Sequence, residues 1–579
     1  MVGLDAEHLD EDCDNIGLGC ALEHFAEVDE VLDMIDNLKN IYDKPEVELQ
    51  YDKLYNILKQ YYEQPHLLDP HLEKILSKFL VLIKEADSPI KLKDAVFNYM
   101  YQIVRVRGYK VVVRHLPHEV SDLLMVLSML EAHDDDDKEC WRSRFVLLLW
   151  LSIVVIIPFH MSRLDGFAPG AQDDASTKQL TVMERIFNIC KKYALSRDTC
   201  AEASAYLASK FFIRGDVKEV YLGPFFEWAC NLQTSVTGES TIHYGVLAAV
   251  AAVLKHGKRD DLLPYAPKLL EWVAKLNFRQ SNAMLVRKYG VKIVQRIGLT
   301  YLRARAASWR YTVGARSLSG ALRPHASGDT APAAPDAAQP VPTQVEDVVE
   351  LLLCSLRDDD TVVRWSAAKG LGRIGARLSA EAAADVAESV LTLFDAGERD
   401  LACHGGCMAI AELARRGLLS PEQLGASITS VCAALARDEP RCGGTRAARD
   451  AACHAAWAFA RAYSPEALRP YAGEVANGLI ATACFDREIN VRRAASAAYQ
   501  ENVGRHGLFP RGIDVLTAAD FQAVGPRAHA YLEVAPYVAS FPEYTIPLID
   551  HLVDLKTEHW DCAIRELSAK ALHKLAHKR

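Results

Sequence analysis

The residues best suited by type to chemistry are cysteines and histidines at helical spacing. Cys403-His404-Gly405-Gly406-Cys407 places two thiols around one imidazole, and Cys453-His454 repeats the Cys-His pair further along. A zinc site needs four nitrogen or sulfur ligands to converge, so the first cluster would have to recruit the second. Cys403 and Cys407 lie one helical turn apart and equally suit a buried helix face, which is the simpler expectation. Cys453 and His454 are adjacent, point about 100° apart on a helix, and are poorly placed as nucleophile and base. There is no GxxxxGK[ST] phosphate cradle, no HExxH and no GxSxG. The expectation is therefore a non-catalytic chain with no metal and no cofactor, whose work is binding. Fourteen cysteines with no CxxC, behind an acidic start rather than a basic-then-apolar leader, fit free thiols in a reducing cytoplasm.

A recurring helix signature carries the fold. It runs Asp360 to Ile374, with Val363, Ala367, Leu371 and Ile374 on one face, and returns at Val491–Tyr499 and at Ile564–Leu575. A fainter copy starts at Val286. Each has an apolar residue, a base, then small and apolar residues. Asp360 and Asp561 are placed to cap their helices. The copies are separated by 77, 128 and 73 residues (Val286 to Val363 to Val491 to Ile564), which fits two, three and two repeats of roughly 37–43 residues. Such a helix cannot bury its apolar face alone and must stack on neighbours, so the predicted fold is all-α, a HEAT/armadillo-type α-solenoid. Val363, Ala367, Leu371, Ile374 and Trp365 are assigned to packing. Arg364, Arg492 and Arg565 are expected to bond between adjacent repeats.

The longest apolar run, Phe145 to Phe159, is fifteen residues, short of the ~20 that span a bilayer. It is read as a core helix, without membrane insertion. Asp134–Asp137 is read as a surface loop. Residues 324–343 are rich in proline and alanine and read as a linker or inserted loop. They divide an N-terminal helical block, 1–323, from a repeat array, 344–579.

The net charge is −10 and the pI about 6.0, which excludes nucleic acid as the main partner. One stretch departs from this. From Trp272 to Gly328 there is no acid but eleven lysines and arginines. Arg287, Lys288, Lys292, Arg296, Arg303 and Arg305 are the candidates there for meeting an acidic partner.

Several blocks together resemble the tubulin-folding cofactor D (tubulin-specific chaperone D) family: Trp150–Gly166, Thr361–Ile374, Cys403–Leu419, Arg449–Tyr463, Val491–Gly525, Phe541–Val553 and His559–Leu572. The resemblance runs from about residue 20 to the C-terminus. It implies a HEAT/armadillo protein that binds β-tubulin and works with tubulin-folding cofactors C and E and an ARF-like small GTPase. Together they assemble and dismantle the α/β-tubulin heterodimer and stimulate GTP hydrolysis by tubulin, with the catalytic arginine attributed to cofactor C. It also implies a cytoplasmic protein associated with the microtubule cytoskeleton. The alternative is a generic HEAT-repeat scaffold or transport adaptor that binds other proteins or a small GTPase. The chain departs from the family in two ways. The segment before Val345 is Ala/Pro-rich where the family is often acidic. The chain ends at Arg579 inside the array, as an N-terminal half or truncated form would.

Overall fold

The computed structural model describes residues 22–85, 87–133, 140–167, 180–232, 243–304, 341–395, 397–437 and 444–576. The expected loop at Asp134–Asp137, nearly all of the proline-rich segment and Arg305 lie outside them. Among the described residues all regular structure is helical. The chain divides into two compact units, Met1–Phe278 and Arg279–Arg579.

In the first unit the longer helices are α1 (Val28–Ile41), α2 (Glu46–Lys59), α3 (Asp69–Lys84), α4 (Ile90–Arg107), α5 (Val120–Ala132) and α6 (Trp141–Val154). They continue as α7 (Val182–Ala194), α8 (Cys200–Phe211), α9 (Gly223–Asn231), α10 (Tyr244–His256) and α11 (Ala266–Lys275). Helices α2, α4, α6, α8 and α10 form one layer in which each packs on the next, and α1, α3, α5, α7 and α9 pair with them as hairpins. The apolar run that starts at Phe145 forms the core helix α6 as far as Val154, and Ile156 and Phe159 beyond it are half-exposed. Trp150 is fully enclosed and its indole N–H donates to Pro117 O at 2.8 Å. No described helix is long and apolar enough to cross a membrane.

The second unit holds α12 (Met284–Tyr301), α13 (Thr343–Ser355), α14 (Thr361–Gly375), α15 (Ala380–Leu391), α16 (Asp400–Ala414) and α17 (Pro421–Ala436). Then come α18 (Gly444–Ala462), α19 (Ala472–Phe485), α20 (Ile489–His506), α21 (Pro542–His551) and α22 (Cys562–Ala576). Helices α12, α14, α16, α18 and α20 stack in order, and α13, α15, α17 and α19 form a second layer paired with them. This is an α-solenoid of armadillo-like repeats. The packing reason is visible in the signature: Val363, Ala367, Leu371 and Ile374 are all at most 1 % exposed, and each large one contributes about 1.5–3 kcal/mol on burial. Asp360 Oδ1 accepts from Val362 N at 2.7 Å and Asp561 Oδ1 from Ala563 N at 3.0 Å, the two caps the sequence suggested.

Two expectations change. The interval from Val286 to Val363 carries one step of the stack rather than two, because α12 packs directly on α14. Arg377 Nη1 fastens this step by donating to Leu299 O at 2.5 Å and Leu302 O at 2.9 Å. The helix that opens the second unit therefore lies before the proline-rich segment, and the packing boundary falls at 278/279. In addition, the helices are interrupted by wide π turns at Lys218–Leu222 and Ala530–Val534. Pro224 and Pro536 follow them. A proline has no N–H for the carbonyl four residues back, so a turn one residue wider passes that carbonyl to the next donor.

Candidate protein-interaction site

Buried arginines tie the repeats of the second unit together. Arg364, 1 % exposed, donates from Nε to His404 Nδ1 at 2.7 Å on the next helix of the stack, and from Nη1 to Asp358 O at 2.5 Å. Arg449 Nε meets Asp486 Oδ2 at 2.5 Å with both side chains enclosed. Arg492 donates to Val524 O at 2.8 Å and to Gly525 O, and also to Asp486 O and Arg487 O. Arg364 and Arg492 thus bridge successive segments as expected. Arg565 bonds the turn before its own helix, at His559 O and Trp560 O.

The same geometry accounts for the Cys-His clusters. Cys403 and Cys407 are fully buried in α16. For His404 Nδ1 to accept from Arg364 the ring must be neutral, and burial, aided by the Arg364 charge, holds it so, with a pKa pushed down to about 3. Cys453 is buried in α18, and burial drives its thiol well above the usual range. In the first unit, donor atoms of Asp94, His133 and Cys140 lie within 4.8 Å of one another. The Asp94 carboxylate there already accepts from Ser143 Oγ at 2.7 Å and Cys140 Sγ at 3.7 Å.

The basic candidates are placed unevenly along α12 and just beyond it. Arg287 is locked in a two-pronged pair with Asp358, at 2.9 and 3.2 Å, and donates to Ser281 O at 2.7 Å. Lys288 and Lys292 are half-buried, and each ammonium lies 5.2 Å from the centre of the Tyr289 ring. Arg296 is half-buried. Burial, with the nearby Arg373 charge, lowers its pKa to about 10, so it remains a cation at neutral pH. Arg303 is exposed just after the helix. Arg305 lies outside the described residues.

A second feature escaped the sequence reading. A groove of about 480 Å³ crosses α14, α16, α18 and α20, with Trp365, Met408, His454 and Trp457 along it and Ala494, Ala497 and Ala498 opposite. Trp365, which the sequence pattern places in the packing, is instead half-exposed because its position turns away from the Val363–Leu371 face. The signal was there as a repeated tryptophan four residues before a base, Trp365…Lys369 and Trp457…Arg461, a spacing that puts the cation over the ring.

A family model described as tubulin-specific chaperone D-like, ARM repeats, matches residues 285–513, and a second, tubulin-specific chaperone D-like, ARM repeat, matches 58–233. The chain belongs to the tubulin-specific chaperone D family. It is 29 % identical to tubulin-specific chaperone D of Dictyostelium discoideum over 94 % of its own length and 45 % of that protein. It is 28 % identical to tubulin-folding cofactor D of Schizosaccharomyces pombe, over 91 % of its own length and 47 % of that protein. The chain thus spans just under half the length of these relatives. Among solved structures, yeast importin-β (Kap95p) aligns with 96 % of the chain and 73 % of its own, at 12 % identity and a TM-score of 0.39.

Proposed function

We propose that this chain is a tubulin-folding chaperone that binds β-tubulin. With tubulin-folding cofactors C and E and an ARF-like small GTPase, it takes part in assembling and dismantling the α/β-tubulin heterodimer and in stimulating tubulin GTP hydrolysis. The observation that carries this is the match of chaperone D repeats to both units. It acts as a binding scaffold in the cytoplasm, beside the microtubule cytoskeleton, and contributes no catalytic group of its own. The solenoid supports the reading, since stacked helices expose one long face on which many side chains contribute modestly.

The contact surface we assign to an acidic region of tubulin is the basic side of α12 and the residues just after it: Lys288, Lys292, Arg296 and Arg303, with Arg287 holding the helix in place through Asp358; Arg305 is assigned with them from the sequence alone. Charge complementarity of this kind steers encounter and sets orientation. The test is tubulin GTP hydrolysis with cofactors C and E, with and without the chain. The reading requires faster turnover when the chain is added. Turnover equal to that of C and E alone contradicts it.

A further inference from the structure

We propose that the groove across α14, α16, α18 and α20 is a docking site for an extended acidic peptide segment carrying an aromatic side chain. No residue of α12 lines this groove, and the proposal does not require the partner to be tubulin.

The groove has an aromatic floor. The His454 ring stacks on Trp457, with centroids 5.7 Å apart and planes at 16°, and its centroid lies 5.9 Å from that of Trp365. Neither indole is sealed over, and the wall opposite is alanine: Ala494, Ala497 and Ala498. Residues of that size leave open a volume that a flat ring would fill between indoles. His454 Nε2 is buried and has no hydrogen-bond partner among the described residues. Burial is the main cause that holds this imidazole below its ordinary pKa, hence neutral.

The rim supplies the charge. Lys369 Nζ lies 4.3 Å from the Trp365 ring and Arg461 4.5 Å from the Trp457 ring. Arg373, Arg415 and Arg505 are exposed at the C-terminal ends of the same helices. Two acids nearby pair with some of these cations, and the cations outnumber them. Glu412 is completely enclosed and pairs with Arg416 at 2.5 Å and Arg415 at 3.1 Å. Glu501 pairs with Arg505 and, at 3.6 Å, with Arg461. Asp450 is the acid that lines the groove itself, one helical turn from His454 and about three turns before Arg461 on α18. A carboxylate-rich segment is therefore attracted at one rim while its ring enters between the tryptophans, an arrangement in which aromatic anchoring and charge act on separate parts of the ligand.

The probe is a fluorescein-labelled, glutamate-rich dodecapeptide with one central phenylalanine, titrated against the full chain by fluorescence anisotropy. Two counterparts replace glutamate by lysine or phenylalanine by serine. The proposal expects the acidic aromatic peptide to bind, the lysine peptide not to bind, and the serine peptide to bind about tenfold more weakly. Ala497→Trp, at an exposed position of the wall, should block the groove. Arg461→Glu should weaken binding about tenfold. Lys288→Glu with Lys292→Glu should leave it unchanged, which separates this site from the one assigned above. Circular dichroism establishes that each variant is folded, and Arg461→Glu serves if the tryptophan variant is not. Equal binding of the basic peptide, undiminished binding to both groove variants, or no binding of the acidic peptide would each overturn the proposal.

Discussion

Arg449 and Asp486 are 3 % and 2 % exposed, and each is the other's charge partner. Removing one partner of a buried pair leaves an uncompensated charge, so Arg449→Ala should cost about 3–5 kcal/mol, read as a lower urea midpoint. Arg399 and Asp359 form a pair 3.2 Å apart with both side chains largely exposed, and Arg399→Ala should move the midpoint little, since such pairs are worth about 0–1 kcal/mol. His404 gives a pH dependence of known sign. Its folded pKa is about 3 against a free value of 6.5. Between those values the unfolded chain binds the proton and the native chain does not, so stability is full above pH ~6.5 and falls as the pH drops. From pH 6.5 to 5 the loss is about 2 kcal/mol, and His404→Gln, which still accepts from Arg364 but does not titrate, should lose less over that range. The sequence showed that Arg364 and Arg492 were structural, because a base in a repeated apolar frame has a repeated partner. It could not show that His404 was Arg364's partner, since that pairing joins helices 40 positions apart.

At the scale of helices, some of the small residues prove to be sites of close approach and others do not. A Cβ at Gly405 would lie 2.1 Å from Leu356 O, a backbone atom that cannot turn aside. Gly405→Ala should therefore destabilise by several kcal/mol, through a shift of α16 against the turn that follows α13. Gly504 in α20 meets nothing within 4 Å, and Gly504→Ala should stabilise by about 0.5–1 kcal/mol through helix propensity alone. Urea midpoints of the two variants make the comparison. Period and caps were legible in the sequence because they are local: Asp360 and Val363–Ile374 needed only spacing. The single step between α12 and α14 was not, because an interval of 77 residues fits two ordinary repeats as well as one repeat and a long connection. Trp365 and Trp457 were hidden for another reason, as an aromatic residue at helical spacing reads as core until its neighbours are seen to be alanines.

At the scale of the whole molecule, the chain is acidic yet concentrates cations on α12, and the account ties that asymmetry to tubulin. Lys288→Glu combined with Lys292→Glu should weaken tubulin binding and flatten its salt dependence. These two positions are cleaner tests than Arg287, whose reversal would also break the Asp358 pair. Family and fold were legible in the sequence because many separate blocks agreed. The contact surface was legible only as a run of charge, and the structure divides that run into a bonded arginine, two lysines beside Tyr289 and a half-buried Arg296. The most direct test is a pull-down of purified native tubulin by the immobilised 579-residue chain at low and moderate salt. The account predicts that β-tubulin is retained, and less so as salt rises. No retention by a chain shown by circular dichroism to be helical and folded would contradict it.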